Sequence, residues 1–125
     1  MDEELLKKFN TPEDCPVRNV ISRIGDKWSI LILLLLDSGK VLRFNEIHKY
    51  IGTISQKMLT ETLKSLGADG LIKRKVYPEI PPRVEYSLTA RGQSLIPHLH
   101  SLVNWANLNM DNIMASRYQF EKSRN

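Results

Sequence analysis

The chain is 125 residues long, 42% hydrophobic and 26% charged, enough to bury one core and too little for two. A single cysteine excludes an intramolecular disulfide and a cysteine-rich metal site, and the longest aliphatic run, residues 30–36, is about a third of a bilayer crossing. The net charge of +4 is unevenly placed: residues 40–91 hold ten Lys/Arg against five Asp/Glu, a balance suited to a polyanionic partner.

Residues 1–14 are polar apart from Leu5, Leu6 and Phe9, and read as an N-terminal arm. Their acidic start lacks the apolar core of a signal peptide, so the expectation is a soluble cytoplasmic protein with no membrane contact. Pro16 suits the first position of a helix over about 16–24, with Cys15 at its cap and Gly25 at its end. Asp26 should cap a second helix, about 27–37, whose Trp28 and residues 30–36 are apolar nearly all round, as in a central buried helix. Gly39 stops it.

A third helix over about 43–50 turns Phe44, Ile47 and Tyr50 (or Ile51) inward, with Arg43, Glu46 and Lys49 outward. A glycine turn at 52–54 follows, then Ser55 as N-cap of a helix from 56 to about 68, with Gly70 as its left-handed stop. Two short helices joined this way make a helix-turn-helix over about 43–68. In the second of them Leu59, Leu63 and Leu66 share a stripe, and Gln56, Lys57, Thr60, Glu61 and Lys64 project from the other side.

Two strands within 71–88 come next, with Ile72 and Val76 facing inward, Lys73 and Lys75 outward, and Val84, Tyr86 and Leu88 alternating likewise. The connection carries Pro78, Pro81 and Pro82, which makes it stiff and poor in backbone donors. A hairpin in this place is a wing. Thr89 caps a last helix, about 90–116, kinked at Pro97 and bearing a stripe of Leu95, Leu99, Leu102, Ala106, Met110 and Ile113, widened by Trp105. So much apolar surface on so small a domain calls for a second copy, and these residues are the expected dimer interface. The tail, 117–125, should be frayed. The fold class is therefore α+β and mostly helical: a winged helix-turn-helix with a long C-terminal dimerisation helix.

A helix fits the major groove, so the polar side of the 56–68 helix is placed to meet base edges. Gln56 suits adenine, Lys57 guanine or phosphate, Thr60 a thymine methyl and Glu61 a cytosine amine; Ser55 and the helix-start amides suit a phosphate. In the wing Lys73, Lys75 and Arg83 are candidate backbone or minor-groove contacts, and Arg43 a phosphate contact near the first helix of the motif. The plain alternative is a solvated helix face, with Lys73 and Lys75, and to a lesser degree Arg83 at the loop's exit, paired across the strands to Glu79 and Glu85. His98 and His100 point to different sides of a helix and His48 stands alone, so no metal site, cofactor or catalytic grouping is expected.

The chain resembles the HxlR family of winged-helix transcription regulators, within the MarR-like superfamily. The carriers are CPV at 15–17, IGDKWSILIL at 24–33, RFNEI at 43–47, ISQKMLT at 54–60, LGADGLIKRKVYPEIPPRVEYSLTARG at 66–92, and Trp105. The resemblance implies a homodimer joined by its terminal helices on palindromic double-stranded DNA, more often a repressor than an activator. For some members it also implies control by an oxidant or small electrophile acting on an N-terminal cysteine. Cys15 stands at a helix start, where the dipole favours the reactive thiolate, although Glu13 and Asp14 oppose it. Three alternatives stay open: Cys15 as a small buried hydrophobe; a small-molecule-responsive regulator, with a pocket near Trp28, Trp105, Met110 and Met114; and a winged helix used for protein contact.

Overall fold

The computed structural model describes residues 1–124. The chain runs through α1 (Glu3–Lys7), a 3-10 turn (Lys8–Asn10), a π-helical turn (Val17–Ile21) leading into α2 (Ser22–Ile24), and α3 (Ser29–Leu35). It continues as β1 (Leu42–Arg43), α4 (Phe44–Ile51), α5 (Gln56–Ala68), β2 (Ile72–Tyr77), β3 (Arg83–Leu88) and α6 (Ala90–Ser123). This is the α+β, mostly helical winged helix-turn-helix that the sequence implies, ending in a long helix. It divides into two units, residues 1–94 and a second that begins at Leu95, inside α6.

The core of the first unit is aliphatic, with Ile32, Leu33, Leu36, Ile47 and Leu59 fully buried, each contributing about 1.5–3 kcal/mol. The expected helix over 16–24 is present, with its middle wound as a π-helical turn. Cys15 caps it as anticipated, its sulfur accepting the Arg18 N–H at 3.4 Å, and is itself fully buried. The next helix is shorter than expected and is not buried all round. Asp26 accepts the N–H groups of Trp28 and Ser29, yet α3 spans only Ser29–Leu35 and leaves Leu31 47% exposed. Two helical turns present one side to the core. The other side, with Leu34 and Leu35, lines an open groove of about 400 Å³ beside Tyr50 and Ile51.

The helix-turn-helix closes as anticipated, except that Ile51 rather than Tyr50 turns inward, Tyr50 being 71% exposed. Gly52 takes φ +78° in the turn, a conformation that costs a side-chain-bearing residue strain. His48 fixes this turn twice: its carbonyl accepts the Gly52 N–H at 2.8 Å, and its ring Nε2 lies 2.9 Å from the Ile54 carbonyl oxygen.

The wing is an antiparallel pair, Ile72↔Leu88 through Tyr77↔Arg83, and the short β1 adds to its β3 edge through Leu42↔Tyr86 and Arg43↔Glu85. Ile72 is buried as expected; Val76 is half exposed, because the hairpin runs out beyond the helices that cover its base. Thr89 joins three elements. Its hydroxyl donates to the Gly70 carbonyl and accepts the Gly92 N–H, while its own N–H donates to the Leu71 carbonyl. Gly92 is required there, since a Cβ would overlap the Leu71 carbonyl oxygen.

In the second unit Ile96 and Leu99 are buried and Leu95 is half-buried. The helix does not end near 116 with a frayed tail but continues to Ser123, no glycine or proline following Pro97 to stop it. Asn125 lies outside the described residues. No described helix is long and apolar enough to cross a membrane.

Candidate nucleic-acid interface

The α5 helix is built to show one face. Leu59, Leu63 and Leu66 are buried together with Thr62, whose hydroxyl is satisfied by the Met58 carbonyl at 2.7 Å. That anchoring leaves Gln56, Lys57, Thr60, Glu61 and Lys64 exposed: Lys57, Glu61 and Lys64 lie opposite the buried stripe, Thr60 beside them, and Gln56 at the helix start on the edge next to Leu63. Ser55 caps the helix, its oxygen accepting the Met58 N–H at 3.0 Å, which leaves its own proton to donate. The Thr60 hydroxyl donates to the Gln56 carbonyl at 2.9 Å, so what Thr60 chiefly offers outward is a methyl group and a lone pair. Arg43 is exposed at the start of α4, where its N–H donates to the Glu46 carboxylate at 2.9 Å.

The wing redistributes the expected roles. Lys73 and Lys75 are exposed and, among the described residues, neither forms an ion pair with Glu79 or Glu85. Lys75 instead lies 4.9 Å from the centre of the Tyr77 ring. Arg83 takes the carboxylates: it reaches Glu79 at 3.3 Å and Glu85 at 3.9 Å, and its guanidinium stacks 3.9 Å above Tyr77. Its charge is thus largely met within the wing, whereas Lys73 and Lys75 face solvent with no carboxylate partner among the described residues, Lys75 over the Tyr77 ring. Arg83 was expected to be the freer cation; its place at the loop exit brings it back onto the hairpin. The three-proline loop holds Ile80 fully in solvent.

Sequence reasoning missed Arg74. Period-two alternation puts it on the face of Ile72, opposite Lys73 and Lys75, and it lines a cleft with Lys64 and Thr60 of α5. The signal was present in IKRKVY, where the middle cation falls on the inward register. Cys15, being buried, is set apart from these exposed residues. Among the described residues no three metal-liganding side chains come together.

The chain presents a helix about 10–12 Å across whose outward side is mostly hydrogen-bonding groups, with Met58 also partly exposed, flanked by a hairpin with exposed lysines. A major groove is about 12 Å wide and its base edges display donors and acceptors. The shapes and chemistries match.

The family model described as HxlR-like helix-turn-helix matches residues 23–114. An HTH-type transcriptional regulator of Methanothermobacter thermautotrophicus is 51% identical over 94 residues, 75% of this chain and 71% of that protein. The HTH-type transcriptional regulator YtfH of Escherichia coli is 39% identical over 113 residues, 90% of this chain and 89% of that protein. Among solved structures, the redox regulator HypR in its reduced form aligns with a TM-score of 0.74 at 38% identity, over 80% of this chain and 98% of that one.

Proposed function

The chain belongs to the HxlR family of helix-turn-helix transcriptional regulators, and from that premise we propose that it represses transcription as a homodimer on an inverted-repeat operator. The observation that carries this is the exposed polar side of α5 above buried Leu59, Leu63 and Leu66. Gln56, Lys57, Thr60, Glu61 and Lys64 read base edges and the strand beside them. Ser55, Arg43, Lys73 and Lys75 hold phosphates, and Arg83 keeps the wing in shape. Two copies pair through the exposed part of α6, namely Leu102, Trp105, Ala106 and Met110, with Leu95 and Ile113 at the margins. Leu99 is left out of that set because it is already buried in the single chain.

Selection of bound duplexes from a random-sequence pool tests the proposal. Enrichment of an inverted repeat with half-site centres about 34 Å apart, or a multiple of it, is expected. A pool that stays random, or a single unrepeated site, contradicts it.

A second reading adds control through Cys15, supported by the sulfur's place at the helix start and by the redox regulator HypR among the similar structures. Since Cys15 is fully buried, an oxidant reaches it only when its surroundings open locally. Diamide should then lower operator affinity in the wild type and leave Cys15→Ser unaffected. An equal response in both removes Cys15 as the switch.

A further inference from the structure

The two faces of the wing carry different cations. Lys73 and Lys75 point away from α5; Arg74 points toward it, paired across the strands with Tyr86. Between helix and sheet lies a solvent-open cleft of about 490 Å³, in which Arg74 stands with Lys64 and Thr60. Its apolar wall comes from Phe44, Ile72 and Tyr86. Among the described residues neither Lys64 nor Arg74 has an ion-pair partner, and both are exposed.

We infer that this cleft seats one strand of the DNA backbone, with a phosphodiester held between the Arg74 guanidinium and the Lys64 ammonium. The adjoining deoxyribose lies against the Phe44 side chain, the part of the apolar wall that is not buried. The inference rests on the DNA-binding reading above and adds a contact from the sheet that carries no base information. Three observations favour a strand over a small free anion. Lys64 and Thr60 belong to the same exposed side of α5 as Gln56 and Lys57, so a helix laid in the groove brings the flanking strand to the cleft. The cleft is partly open to solvent, so a strand can pass along it, whereas small-molecule sites bury most of their ligand. A forked guanidinium matches two phosphate oxygens, and the wall beside it suits the less polar side of a sugar.

The test uses the full chain, a duplex enriched from the random pool, an unselected duplex, and enriched duplexes in which one phosphate at a time is replaced by an uncharged methylphosphonate. Arg74→Gln is expected to weaken both duplexes about tenfold and to lower the slope of log affinity against log salt by about one. Arg74→Lys should keep that slope. One methylphosphonate position should weaken the wild type and cost Arg74→Gln nothing further. Circular dichroism melting checks that the variants are folded. Wild-type affinity of folded Arg74→Gln for both duplexes overturns the inference, as does methylphosphonate sensitivity unchanged by the substitution. So does Arg74-dependent binding of inorganic phosphate or benzoate that leaves DNA affinity intact, since that gives the cleft to a free anion. If the wild type itself binds no duplex at low salt, the DNA reading fails as a whole, a result distinct from these.

Discussion

The Asp26 carboxylate accepts three hydrogen bonds within one turn: the Trp28 N–H at 2.8 Å, the Ser29 N–H at 2.7 Å and the Ser29 hydroxyl at 2.9 Å. Partial burial pushes its pKa up, but the Ser29 and Trp28 bonds together outweigh that and leave it below the ordinary 3.8. A depressed carboxylate contributes stability above its unfolded pKa and loses it as the pH falls through the folded one. Asp26→Ala should therefore cost about 1 kcal/mol at pH 7, and the difference from wild type should narrow as the pH drops below 3.8. Denaturant unfolding at pH 7 and pH 3 checks this; an undiminished gap at pH 3 rules out the charge as its source. Asp26 was legible because a cap acts within three residues. Arg83 was not, because its partners Glu79 and Glu85 depend on how the hairpin folds back, which local spacing does not report.

At the scale of elements, α5 and both wing strands follow from local chemistry: Ser55 starts the helix, Gly70 at φ +72° ends it, and apolar residues alternate in the strands. The two-residue β1 was hidden, since alternation needs more length than Leu42 and Arg43 provide. The end of α6 is not legible in composition, since the polar residues after 116 suggest fraying although no helix-breaking residue stands there. The longer helix brings Phe120, 62% exposed, onto the line of Leu102, Ala106, Met110 and Ile113. Leu102→Asp should give folded monomers with little operator affinity, measured by sedimentation velocity and duplex binding. Because Leu102 is half exposed, folding should survive the change; a stable dimer would place the interface elsewhere.

For the whole molecule, assembly determines what a DNA site must look like. One α5 helix reads only a few base pairs, and single modules of that size bind modestly. Two copies related by a two-fold axis double the contacts and demand a repeated half-site. Charge acts at the same scale: the excess of basic residues over 40–91 coincides with the helix-turn-helix and wing, so affinity should fall steeply with salt. The outward side of α5 is proposed to read bases, and substitution of one of its side chains tests this. The most direct measurement compares wild type and Lys57→Ala on the enriched duplex and on single-base variants of it. A loss of about 1–3 kcal/mol on the enriched site and a relaxed preference at one base pair of each half-site are expected. Unchanged affinity and unchanged base preference in folded Lys57→Ala, and likewise in Gln56→Ala, would contradict that role for α5.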